Sequence, residues 1–221
     1  MLQVGTILHG TYKIESYLSS GGFGNTYLAK NIEFDETYAI KEFFVKGVCQ
    51  RDGNSTTISV SNAENTNSFE QQREKFKKES RRLRSLSNPH IVKVYDLFEE
   101  NGTAYYVMDY VDGENLSARL KRTNVPLAES EVRNYLNQIL DGLEAIHNEG
   151  MFHLDIKPAN IMVDSHDVVK LIDFGASKQQ STVGGATMST GISYTNGYAP
   201  SEQMAQSYDK FGPWTDFYAL G

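Results

Sequence analysis

Five short, separated runs carry most of the residues with chemistry to offer. Gly21-Gly22-Phe23-Gly24 lies between two segments of alternating polarity. Glycines leave backbone N–H groups clear of Cβ obstruction, so such a turn can close over an anion. Ala39-Ile40-Lys41 follows in a β-forming stretch, and a compact ammonium suits a multi-oxygen anion. His153-Leu154-Asp155-Ile156-Lys157-Pro158-Ala159-Asn160 and then Asp173-Phe174-Gly175 come later. The side-chain oxygens of Asn160 and Asp173 are of the kind a hard cation such as Mg2+ prefers. Ala199-Pro200-Ser201-Glu202 closes a Ser/Thr-rich stretch. Taken singly, each run has a plainer reading: a hairpin turn, an exposed strand lysine, loop residues capping a turn.

The elements that must position these runs follow from periodicity. Tyr12 to Leu18 and Asn25 to Lys30 alternate apolar and polar, which predicts a hairpin across the glycines, and Glu36 to Val45 predicts a third strand. Residues 47–67 are rich in Asn, Ser, Thr and Gly and contain Asp52-Gly53-Asn54; they read as a loop or short hairpin outside the core. Phe69 to Leu86 has helical character, with Phe76, Leu83 and Leu86 as apolar points, and Asn88-Pro89 stops it. Ile91 to Phe98 and Thr103 to Val111 read as strands joined at Asn101-Gly102. From Asp112 the pattern turns helical, at Leu116 to Arg122 and Glu129 to Asn148. The second helix sets Val132, Leu136, Ile139, Leu140, Leu143 and Ile146 on one stripe and ends before Gly150. Strand-like pieces follow at Ile161 to Val163 and Val168 to Ile172, and residues 176–197 read as a flexible segment. The predicted class is α+β: a strand-rich lobe over 1–109 with an insertion at 47–67, then a helix-rich lobe over 110–221.

In content, order and spacing the five runs resemble the signature set of the protein kinase family, from about Tyr12 to Gly221. HLDIKPANIM and GYAPSEQ look like bacterial serine/threonine kinases. The resemblance implies a bilobal kinase fold and phosphorylation of Ser/Thr hydroxyls on protein substrates with ATP and Mg2+, mostly by electrostatic positioning. It implies that Lys41 meets the α/β-phosphates and is held by Glu79, with Glu74 as the fallback. Asp155 would accept the substrate hydroxyl's proton, Lys157 would offset γ-phosphate charge, and Asn160 and Asp173 would hold Mg2+. Thr195, seven residues before Glu202, would bond Asp155 and Lys157; its plainer reading is one more loop hydroxyl. Nucleotide contacts are implied at Leu18, Ser19, Gly21, Gly22, Phe23, Gly24, Thr26, Ala39 and Lys41. Met108 would be the gatekeeper, Asp109 and Val111 the hinge, and Met162 a further contact. His153 and Phe174 read as packing residues stacked with Leu83 and Val94, and Asp216 as a buried aspartate that fixes the catalytic loop.

Departures from the family pattern carry expectations of their own. Ser19 stands for the first glycine and Thr26 for a valine. Leu154 replaces an arginine that normally meets an activation-segment phosphate, so activity is expected not to require phosphorylation within 176–195. The gap between Lys41 and Glu79 is long; the insertion reads as tolerated surface loop, with a partner surface as the alternative. The chain stops where the family continues into further C-terminal helices. The expectation is an open lobe, weak activity alone, and self-association as one outcome. A nucleotide-binding pseudokinase scaffold and a small-molecule kinase are the competing readings.

The totals bound the rest. A net charge of −7 argues against binding duplex nucleic acid through its phosphates. No run of 18 apolar residues and no signal-peptide pattern occur, and Cys49 is the single cysteine, which fits a reducing cytoplasm. A basic run from Arg73 to Arg84 is interleaved with Glu70, Glu74 and Glu79 and reads as a solvated helix face laced with i,i+4 pairs.

Overall fold

The computed structural model describes residues 1–21, 24–53, 55–174, 178–179 (backbone only) and 194–221. The expectations for Gly22, Phe23, Gly175 and most of 176–197 therefore lie outside the described residues. The chain divides into two compact units, residues 1–85 with 93–110, and residues 86–92 with 111–221.

The first unit holds β1 (Ile7–Leu8), β2 (Tyr12–Gly21), β3 (Gly24–Asn31), β4 (Thr37–Phe43), β5 (Cys49–Arg51), β6 (Ile58–Val60), α1 (Thr66–Ser85), β7 (Val94–Glu100) and β8 (Thr103–Asp109). Six strands form one antiparallel sheet in the order β1-β2-β3-β4-β8-β7, while β5 and β6 pair with each other. Period-two alternation sorts the side chains of β4. Ile40 joins a core cluster with Leu2, Leu8, Tyr12, Ile14, Tyr27, Ala29, Phe98, Tyr105 and Val107. Phe43 faces the other way, its ring 5.1 Å from Phe69 and 5.5 Å from Phe76 of α1. Burying each such aromatic is worth about 2–3 kcal/mol, enough to seat a helix whose composition is otherwise strongly polar.

One expectation changes here. The insertion is not outside the core: Cys49 and Ile58 are buried, and the Arg51 side chain is only 3% exposed. Its polar composition suits a hairpin as well as a loop. Two ion pairs of α1, Arg73–Glu70 and Lys77–Glu74, run at a spacing of three, both at 2.5 Å, and both cations also reach across to Glu99 of β7. The first ten residues, outside every motif, supply Leu2 and Leu8 to the core.

The second unit holds β9 (Gly113–Asn115), α2 (Leu116–Thr123), α3 (Glu129–Asn148), β10 (Met151–Phe152), β11 (Ile161–Asp164), β12 (Val169–Leu171), β13 (Lys178–Gln179), α4 (Ser201–Met204) and α5 (Pro213–Tyr218). The strands form a three-stranded sheet, β12-β11-β9, and the pair β10-β13. Helix α3 matches its predicted span, but its buried stripe is Tyr135, Ile139, Gly142, Leu143 and Ile146. Val132 and Leu140, placed on that stripe by sequence, are 38% and 42% exposed. Leu140 falls beyond one edge of the buried arc, Tyr135 and Gly142, neither counted as an apolar point, extend its opposite edge, and Val132 lies near the start of the helix, ahead of the first buried residue.

Candidate active site

In the second unit the loop after β10 is fastened from below before any chemistry begins. Asp216 sits in α5 with a fully buried carboxylate. It accepts from the His153 N–H at 2.9 Å, the Leu154 N–H at 2.7 Å and His147 Nε2 at 2.8 Å. Leu154 adopts φ 62°, a left-handed conformation that costs a leucine about 1–2 kcal/mol. Its side chain recovers that by packing with Phe152 and Phe211, and its carbonyl accepts from Gln203 Nε2 at 2.6 Å.

His153 is a packing and hydrogen-bonding residue here. Its ring lies 4.5 Å from that of Phe174. Nε2 faces the Ile172 carbonyl at 3.1 Å, and Nδ1 accepts from the Asp155 N–H at 3.3 Å. Burial pushes its pKa below the usual imidazole value despite the nearby Asp216 and Asp155 carboxylates, so the neutral tautomer with Nε2–H fits both bonds.

On this base stands a cluster around Asp155, whose side chain keeps 21% exposure. Oδ1 accepts from Lys157 Nζ at 3.0 Å and from Thr195 Oγ1 at 2.9 Å. Oδ2 accepts from Asn160 Nδ2 at 2.8 Å and also lies 2.8 Å from Lys157 Nζ. Lys157 Nζ donates to Thr195 Oγ1 at 3.0 Å, which closes a triangle of the three side chains. Asn160 gives a second Nδ2 bond to the Asp155 carbonyl at 2.9 Å, which leaves Oδ1 as the amide atom to meet a cation. Asp173 follows at φ 62°, one residue past Ile172, whose N–H donates to the Asn160 carbonyl at 3.0 Å. Among the described residues no group of three or more His, Cys, Asp or Glu could hold a metal. Mg2+ does not ask for one, since it keeps waters and uses one or two protein oxygens beside phosphate.

In the first unit Lys41 shares its face of β4 with Phe43, the face that meets α1. Glu79 lies almost one turn after Phe76 and is half-buried, whereas Glu74 is exposed and paired with Lys77. Thr26 pairs with Lys41 across β3–β4, and Ala39 with Met108 across β4–β8. At Gly24 a Cβ would lie 2.5 Å from the Glu42 carbonyl oxygen and 3.6 Å from Lys41 Cε, so only glycine lets β3 start there. Leu18, Ser19 and Gly21 are exposed at the end of β2, and Met108 is buried on β8. The Asp109 carboxylate is engaged by Tyr95 OH at 2.6 Å and the Lys93 N–H at 3.2 Å, so the side chain serves the strand pair. Val111 and Met162 belong to the second unit, Val111 buried and Met162 half-buried.

Sequence reasoning passed over Glu42, Arg51, His147 and Gln203. For Glu42 a signal existed: alternation through Ile40 puts a carboxylate on the core face of β4, and a buried carboxylate demands partners. Arg51 and His147 had none, because their partners lie 9 and 69 residues away with no shared periodicity.

An aspartate bonded to a lysine two residues on, an asparagine five on and a distant threonine is an arrangement suited to phosphoryl transfer. The chain belongs to the protein kinase domain family, which matches residues 12–221. It is 32% identical over 222 residues to the serine/threonine-protein kinase PrkC of Bacillus subtilis, covering 99% of this chain and 30% of that protein. It is 34% identical over 207 residues to mitogen-activated protein kinase kinase kinase 2 of Arabidopsis thaliana, covering 92% and 29%. The solved structure "PpkA-294 apo form" matches with a TM-score of 0.85 at 30% identity, over 100% of this chain and 75% of that one. The fold is thus that of the protein kinases, and the chain spans about three tenths of the length of these curated relatives. Among the described residues no helix is long and apolar enough to cross a membrane.

Proposed function

We propose that this chain transfers the γ-phosphoryl group of ATP to serine and threonine hydroxyls of protein substrates. The observation that carries the reading is the closed triangle of Asp155, Lys157 and Thr195 with Asn160 bonded to its other side. A carboxylate held by three donors yet open to solvent is placed to orient a hydroxyl and take its proton as the oxygen becomes a nucleophile. Lys157 then offsets the charge gathering on the transferred phosphoryl oxygens. Mg2+, when bound, would screen the phosphate charges, and the oxygens of Asn160 and Asp173 suit it as ligands. Lys41 is the phosphate ligand and Glu79 its carboxylate partner. Leu18, Ser19, Gly21, Gly22, Phe23, Gly24, Thr26, Ala39, Met108, Asp109, Val111 and Met162 are the nucleotide contacts. The two lobes are residues 1–109 and 110–221. The resemblance to bacterial kinases and the lone buried thiol Cys49 favour a reducing bacterial cytoplasm.

The test is transfer from labelled ATP to a pool of proteins, followed by analysis of the phosphorylated amino acids. Phosphoserine and phosphothreonine, lost on chelation of Mg2+, are expected. Phosphotyrosine alone, or transfer indifferent to chelation, would contradict the reading.

A further inference from the structure

Strand β4 carries Lys41 and Glu42 side by side, so their side chains leave opposite faces of the sheet. The Glu42 side chain is fully buried, and four residues converge on it. Arg51 of β5 brings Nη2 to Oε1 and Nη1 to within 3.5 Å of Oε2. Asn25 Nδ2 and Tyr27 OH of β3 donate to Oε2, each at 3.0 Å, and Tyr105 OH of β8 donates to Oε1 at 2.9 Å. Burial, then the Glu42 charge, push the Tyr27 phenol to about 12 and raise Tyr105 as well, so both stay protonated donors. Burial works most strongly against the Arg51 charge, but the hydrogen bond to Glu42, the Glu42 charge and the Tyr105 and Tyr27 phenols together outweigh it and hold the guanidinium above its ordinary value.

The donors belong to the strand that follows the glycine turn, to the strand that ends at the hinge, and to the insertion. The insertion is fastened at further points. Arg51 Nε donates to the Thr56 carbonyl at 2.8 Å, and the Ile58 N–H donates to the Asn101 carbonyl at 2.8 Å. At Gly102, with φ 74°, a Cβ would lie 2.9 Å from the Ile58 carbonyl oxygen, so the hairpin abuts the β7–β8 turn directly. A sealed carboxylate needs its cation, and truncating one partner of such a pair leaves the other buried and uncompensated. The backbone at Glu42, and with it the adjacent Lys41, is held in place by this pairing.

We propose that Arg51 is a positioning residue for phosphate binding by Lys41, acting through Glu42, so that the 47–61 hairpin is part of the nucleotide-binding machinery. The proposal rests on the reading of Lys41 as a phosphate ligand and goes beyond it. Its test compares ATP with adenosine, which lacks the phosphates, by calorimetry on the full chain below the melting onset of each variant. Arg51→Met is expected to weaken ATP about tenfold and adenosine less than about twofold. Lys41→Met/Arg51→Met is expected to bind ATP no more weakly than Lys41→Met alone, since the second change acts through the first.

Equal losses for ATP and adenosine, or additive losses in the double variant, would make Arg51 a stabiliser only and overturn the proposal. Should Arg51→Met fail to fold, Arg51→Lys keeps a charge opposite Glu42 without the two-pronged fork. A loss confined to ATP then carries the proposal, and an unselective or absent loss overturns it. If wild type and Lys41→Met bind ATP equally, the reading of Lys41 fails and the proposal with it, a result distinct from a failure of Arg51 alone.

Discussion

Two carboxylates, Glu42 in the first unit and Asp155 in the second, are each met by several donors, yet they sit in opposite settings. Glu42 has no exposed side-chain surface, and its donors include a guanidinium and two phenols that bury with it. Asp155 retains 21% exposure and is bonded by an ammonium, an amide and a hydroxyl. The first arrangement holds geometry, because the carboxylate is closed off from solvent by its partners. The second stays partly open to solvent, as the proposed role of Asp155 requires. Donor number alone does not mark an active carboxylate; donors with access do. The strain at Leu154 and the sealed Asp216 beneath it belong with Glu42 in kind, as structure that fixes the loop so that Asp155 can stay open.

Substitutions can pull the two apart. The largest effect is expected at Glu42→Leu, which leaves the Arg51 charge buried and unpaired; unfolding monitored by urea titration should show a loss of about 3–5 kcal/mol. An effect within about 0.5 kcal/mol, the range of ordinary surface changes, would mean the cluster is not sealed in solution. Thr195→Val removes the hydroxyl that closes the triangle at Asp155. A kcat about tenfold lower, equal to about 1.4 kcal/mol, is expected with the urea midpoint nearly unchanged. A shift of the midpoint with kcat intact would reverse the assignment.

The smallest effect is a pH slope. His153 is held below its unfolded pKa by burial, so the unfolded chain binds the extra proton. Its contribution to stability is therefore complete above pH of about 6.5 and is lost as the pH falls below it, at no more than about 1.4 kcal/mol per pH unit. His153→Asn should flatten that part of the stability curve, and an unchanged slope would show that the ring is not desolvated.

How much of this was legible in the sequence follows from distance along the chain. Asp155, Lys157 and Asn160 fall within six residues, and a loop that short brings them together almost by itself. Thr195 was reachable only through its spacing to Glu202, forty residues from its partner Asp155. The span of α3 was legible from its period and its stop before Gly150, but its facing was not, because Tyr135 and Gly142 do not register as apolar points. A short hairpin in 47–67 was among the readings, but its burial was not legible, because nothing in that stretch announces that Arg51 will find a carboxylate on β4. Leu2 and Leu8 were missed for a plainer reason: no motif reaches them.

The most direct test of the central claim is the single-turnover rate of phosphoryl transfer by Asp155→Asn beside wild type, with the urea midpoint measured on both. Asparagine keeps the size and one acceptor oxygen but cannot take the hydroxyl proton. A rate lower by about 10²–10⁴ at an unchanged midpoint is the expected result. A rate within about threefold of wild type, a difference of about 0.65 kcal/mol, would contradict the assignment of Asp155 as the proton acceptor.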